Sequence, residues 1–65
     1  MEGFPERLRR LRERRGMSRK KLSECCGVSK NMISRYERGE RTPDLYIARE
    51  LAEFFDITLD DLVKK

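Results

Sequence analysis

Glycines at positions 16, 27 and 39 and prolines at 5 and 43 cut this chain into stretches that suit only brief elements. Within each stretch the apolar residues recur three or four apart instead of alternating, which is the period of a helix. Pro5 opens the first segment where a missing N–H costs nothing. Phe4, Leu8 and Leu11 then form one apolar stripe, and Gly16 suits a left-handed helix end. Ser18 is a natural cap for a second helix carrying Leu22 and Cys26, which Gly27 ends. Ser29 caps a third helix, with Ile33 and Tyr36 inward and Gly39 as its stop. After the turn Glu40-Arg41-Thr42-Pro43, Asp44 or Thr42 caps a fourth, whose core face reads Leu45, Ala48, Leu51, Ala52 and Phe55. Thr58 and Asp61 fit the capping-box spacing of a fifth, with Leu59, Leu62 and Val63 on its inner side. The spacing predicts an all-α fold of five short helices.

At 65 residues the chain is expected to form a single domain over 1–65. Leu, Ile, Val and Phe supply 15 residues, or 23%, just above the share of about 20% below which chains stay disordered. So small a core gains from a partner subunit. No apolar run approaches the roughly 20 residues of a membrane span, and no signal peptide opens the sequence. A soluble, cytoplasmic protein without a membrane partner is expected.

Charge is unevenly spread. Sixteen Lys and Arg against twelve Asp and Glu give a net charge of +4. Residues 1–42 hold 13 basic and 6 acidic side chains, and residues 43–65 hold 3 and 6. A basic pole opposite an acidic one points to a polyanion for the first two thirds, against the plainer alternative of an Arg-rich solvated surface. Histidine is absent, which removes the commonest general base and metal ligand. The two thiols, Cys25 and Cys26, are adjacent, whereas zinc ligands come as spaced pairs, and no base stands beside them in sequence. Cys26 is expected to pack as a small apolar residue while Cys25 points elsewhere. No Gly-rich phosphate loop occurs. The expectation is no catalysis, no metal, no cofactor and no small-molecule ligand.

Two helices joined by a short turn containing glycine make a helix-turn-helix, here about residues 18–38 with its junction at Cys26-Gly27-Val28-Ser29. The third helix turns Val28, Ile33 and Tyr36 inward and Lys30, Asn31, Ser34, Arg35 and Arg38 outward. Arg and Lys donate to guanine, Asn pairs with adenine, and Ser goes to either. Arg19, Lys20 and Lys21 crowd the first turn of the second helix, where the dipole disfavours cations, whereas Asp60 and Asp61 obey the same rule in the fifth. A phosphate arriving at the second helix would compensate the misfit. Glu37 lies near the C-terminal end of the third helix, again disfavoured, and Arg12 is its expected ion-pair partner.

The run from Leu22-Ser23 through Cys26-Gly27-Val28-Ser29 to Ile33-Ser34-Arg35-Tyr36-Glu37-Arg38-Gly39 resembles the phage-repressor-like (lambda-repressor-like, XRE-type) helix-turn-helix family. The likeness runs from Arg7-Leu8 through Pro43, Leu45 and Leu51-Ala52 to the ending Ile57-Thr58-Leu59-Asp60-Asp61-Leu62. The resemblance implies a compact five-helix domain that binds operator DNA as a homodimer and regulates transcription, with its third helix in the major groove. It places Lys30, Asn31 and Arg35 at base-reading positions, with Ser34 beside them. Ser18, Arg19, Lys20, Ser29, Arg38 and Arg41 form the phosphate-contacting set, and Arg12 with Glu37 matches a salt bridge common in the family. Arg19 stands where the family often has Gln, and Cys26 where a larger aliphatic residue is usual, with Met17 or Met32 available to fill the space.

On the fourth helix Ile47, Leu51 and Phe54 form a second apolar line. Ile47, Phe54, Ile57 and Leu59 are candidate dimer contacts, against the alternative that all serve the core. Two rival functions follow. One is an antitoxin-like or other protein-interaction module that also binds DNA, ranked second because the sequence leaves no room for a partner-wrapping tail. The other is a peripheral membrane module using the basic first helix, weakened because Phe4, Leu8 and Leu11 are needed by the core.

Overall fold

Every helix expected from the spacing forms. A computed structural model describes residues 3–63, so the outer ends of the expected 1–65 domain (residues 1, 2, 64 and 65) lie outside the described residues. In chain order the elements are α1 (Phe4–Arg14), α2 (Arg19–Cys26), α3 (Lys30–Glu37), α4 (Leu45–Phe54) and α5 (Leu59–Val63). No strand occurs among the described residues.

Local chemistry sets the boundaries. Ser18, Ser29 and Asp44 each accept a hydrogen bond from a backbone N–H three residues on, at 3.0, 3.1 and 2.8 Å, which supplies partners at the starts of α2, α3 and α4. Thr58 does the same for Asp61 at 3.0 Å. At the start of α1 the Glu6 carboxylate accepts from the Gly3 N–H at 3.1 Å. Its carboxyl is held below its ordinary range by its own backbone N–H and then by that of Gly3.

Three helices end in one way. In α1, α3 and α4 the residue after the cap turns left-handed, and two crossed N–H···O bonds close the last turn, a Schellman ending. Gly16 and Gly39 occupy two of these positions with φ of 65° and 76°, and Asp56 occupies the third with φ of 57°. Aspartate tolerates this conformation better than most residues with a side chain.

The core is Leu8, Leu22, Val28, Ile33, Tyr36, Ala48, Leu51, Ala52, Phe55 and Leu62. Phe4, Leu11, Met17, Cys26, Met32, Ile47, Phe54, Ile57 and Leu59 pack around it half-buried. Helix α1 packs on α3 and α5, α2 on α3 and α4, and α4 on α5. Phe4 meets Tyr36 edge to face at a centroid distance of 6.0 Å, fixing the start of α1 against the end of α3.

Two expected placements need correction. Leu45, read as core, is 63% exposed, and Val63, read as inward, is also exposed. Both stand in the terminal turns of their helices. At the start of α4 the Cα–Cβ bond tilts toward the helix N-terminus, so Leu45 reaches past the end of the core. Leu51, expected on both the core face and the second apolar line of α4, is fully buried in the core.

Candidate nucleic-acid interface

Gly27 adopts φ of 71°, and its N–H bonds back to the Ser23 carbonyl at 2.9 Å, which ends α2 and sends the chain into α3. Val28, Ile33 and Tyr36 are buried beneath α3 and anchor it. On its other side Lys30, Asn31 and Arg35 are exposed and Ser34 is half-buried. Residues 30 and 34, and 31 and 35, are one helical turn apart, so the four share one face. Lys30 and Asn31 stand in the first turn of α3.

Polar and basic groups precede and follow α3 along the chain. Lys20 and Arg41 are exposed, at the start of α2 and in the loop after α3. Ser18 and Ser29 accept backbone N–H bonds through Oγ, and each hydroxyl keeps its own O–H to donate. Arg38 sits just past α3 in a two-pronged pair with Glu40, at 2.8 Å from Nε to Oε2 and 3.1 Å from Nη2 to Oε1. That pair raises the Arg38 pKa and lowers that of Glu40.

Behind the face, Arg12 and Glu37 join α1 to α3. Arg12 Nε donates to Glu37 Oε2 at 2.7 Å, and Nη2 donates to Oε1 at 3.0 Å. Arg12 Nη1 also donates to the Met17 carbonyl at 2.8 Å. The hydrogen bonds from Arg12 to Glu37 hold the guanidinium pKa above its ordinary value, against the opposing pull of burial. Arg19 is half-buried and donates its Nε to Glu37 Oε1 at 3.1 Å, joining α2 to the same carboxylate.

Sequence reasoning found the pairing of Arg12 with Glu37 and missed other contacts. The pairing of Arg19 with Glu37 spans 18 residues and follows from no local pattern. The signal nearest to it was the unusual arginine at the head of α2. Glu40 lies two residues beyond Arg38, a spacing readable only once α3 is known to end before Arg38. Arg15 stacks over the rings of Phe54 and Phe55 at 5.1 and 5.3 Å and donates to the Phe54 carbonyl at 3.1 Å, which ties α1 to the end of α4.

On α4 and beyond it Ile47, Phe54, Ile57 and Leu59 are half-buried against the core, while Leu45 and Tyr46 are exposed. Cys25 is exposed, and Cys26 packs against the core with its thiol pushed up to about 11, chiefly by burial. No helix among the described residues is long and apolar enough to cross a membrane.

The family model described as helix-turn-helix matches residues 8–62. A Pyrococcus furiosus protein named for HTH-type transcriptional regulation is 47% identical over 51 residues, covering 78% of this chain and 16% of that protein. The cryptic phage CTXphi transcriptional repressor RstR of Vibrio cholerae is 32% identical over 60 residues, covering 92% of this chain and 54% of the repressor. The chain thus spans about half or less of the length of these relatives. Among solved structures, the restriction-modification controller protein C.AhdI from Aeromonas hydrophila superposes with a TM-score of 0.83 at 34% identity. That match covers 91% of this chain and 89% of the controller.

Proposed function

This chain belongs to the helix-turn-helix family, and from that premise we propose that it binds double-stranded DNA sequence-specifically and regulates transcription. The observation that carries this reading is the outward face of α3. Lys30, Asn31 and Arg35 are exposed together, with Ser34 beside them, on a helix whose other side is locked by Val28, Ile33 and Tyr36. Such a face enters the major groove, where Lys and Arg read guanine and Asn reads adenine. Ser18, Arg19, Lys20, Ser29, Arg38 and Arg41 hold the phosphates on either side and set the register.

Residues 1–65 act as one domain, and two copies bind together. Their contact is built on Ile47, Phe54, Ile57 and Leu59, which places one reading helix in each of two half-sites about one DNA turn apart. The protein acts as a repressor on this reading, which the similarity to the repressor RstR supports.

Selection of bound duplexes from a random pool tests this directly. The expected result is one enriched motif in two half-sites. Arg35→Ala should cost roughly 1–3 kcal/mol on that motif and little on random duplex. A pool that enriches nothing ends the sequence-specific reading. Preference surviving Arg35→Ala moves the reading face elsewhere.

A further inference from the structure

Glu37 is the meeting point of three helices. Its side chain is only 1% exposed, and both carboxylate oxygens are already engaged by Arg12, whose side chain is 10% exposed. Arg19 reaches the same carboxylate with Nε alone, and 42% of its side chain remains open. The three residues together carry two positive charges and one negative. The uncompensated charge stands at the solvent end, on Arg19.

We propose that Arg19 is a two-edged clamp. Its Nε edge is pinned by Glu37, and the Nη groups of the same plane hold a DNA backbone phosphate. Glu37, itself fixed by Arg12, is then a positioning residue for that phosphate contact. A guanidinium is planar, so fixing Nε sets the direction of its remaining donors. Little side-chain freedom is left to lose when phosphate arrives, and the fork matches two phosphate oxygens. A lysine offers a point charge on a flexible stem and cannot hold both partners in one plane. This clamp rests on the DNA-binding reading above and deepens it by joining the α1–α3 ion pair to the backbone contact of α2.

The test is anisotropy of a labelled random-sequence duplex across a salt series, with the wild-type chain, Arg19→Lys and Arg19→Ala. Thermal unfolding of each variant accompanies it, and both variants should stay folded because Arg12 still engages Glu37. Arg19→Lys should weaken binding roughly threefold to tenfold with an unchanged salt slope, since the charge is kept and the geometry lost. Arg19→Ala should weaken it further and lower the slope by about one. If the wild type binds and Arg19→Lys matches it, charge alone matters and the clamp is wrong. If Arg19→Ala also matches it, Arg19 touches no phosphate and the clamp is equally wrong. A wild type that shows no salt-dependent binding overturns the DNA-binding reading itself.

Discussion

Two arginine–glutamate pairs in this molecule have nearly the same geometry and opposite consequences. Arg12 grips Glu37 at 2.7 and 3.0 Å, and Arg38 grips Glu40 at 2.8 and 3.1 Å. The first pair is 10% and 1% exposed, the second 56% and 54%. Distance therefore cannot rank them, and burial can. In the interior, losing one partner strands a charge that water barely reaches. On the surface water replaces the lost partner, and the pair contributes little to stability.

The contrast is sharpest at Glu37. Glu37→Ala leaves Arg12 and Arg19 facing each other without a carboxylate and should lower unfolding stability by about 3–5 kcal/mol in denaturant titration. A loss below about 1 kcal/mol would erase the distinction between the two pairs.

Glu40→Gln probes the other side. Unfolding stability should stay within about 0.5 kcal/mol of wild type. Duplex affinity should rise at all sequences, and the salt slope should steepen by up to about one, because Arg38 is released to phosphate. An unchanged salt slope would mean that Arg38 lies off the DNA path.

The smallest effect carries the same interior-to-surface contrast to the neighbouring thiols. The Cys26 thiol lies above its ordinary 9.0, at about 11, because burial favours the neutral form. Its contribution to stability is complete below pH 9.0 and is lost as pH rises through about 11. Cys26→Val should flatten that alkaline decline, leaving the share of Tyr36, which burial also pushes up. In mildly alkaline solution iodoacetamide should modify exposed Cys25 well before Cys26. Equal rates would show that Cys26 is not protected.

Much of the fold is legible in the sequence. Leu8, Leu22, Ile33, Tyr36, Leu51 and Leu62 are buried where a three-to-four spacing puts them. Leu45 and Val63 broke the rule because periodicity assigns a side without asking whether the core extends to the helix end. The pairing of Arg12 with Glu37 was readable because a carboxylate near a helix C-terminus calls for compensation, and a cation on a neighbouring helix supplies it. The third member, Arg19, was not. Its contact depends on how steeply α2 crosses α3, and no local pattern encodes that angle.

Arg12 bonds to the Met17 carbonyl between α1 and α2 and to Glu37 on α3, while its own backbone belongs to α1. These parts therefore share one fate during breathing of the native state. Amide protons along α1 and α3 should exchange through the same opening, with matched free energies, while α5 frays independently. Helix α3 borrows its rigidity from α1, a helix that carries none of the proposed base-reading residues.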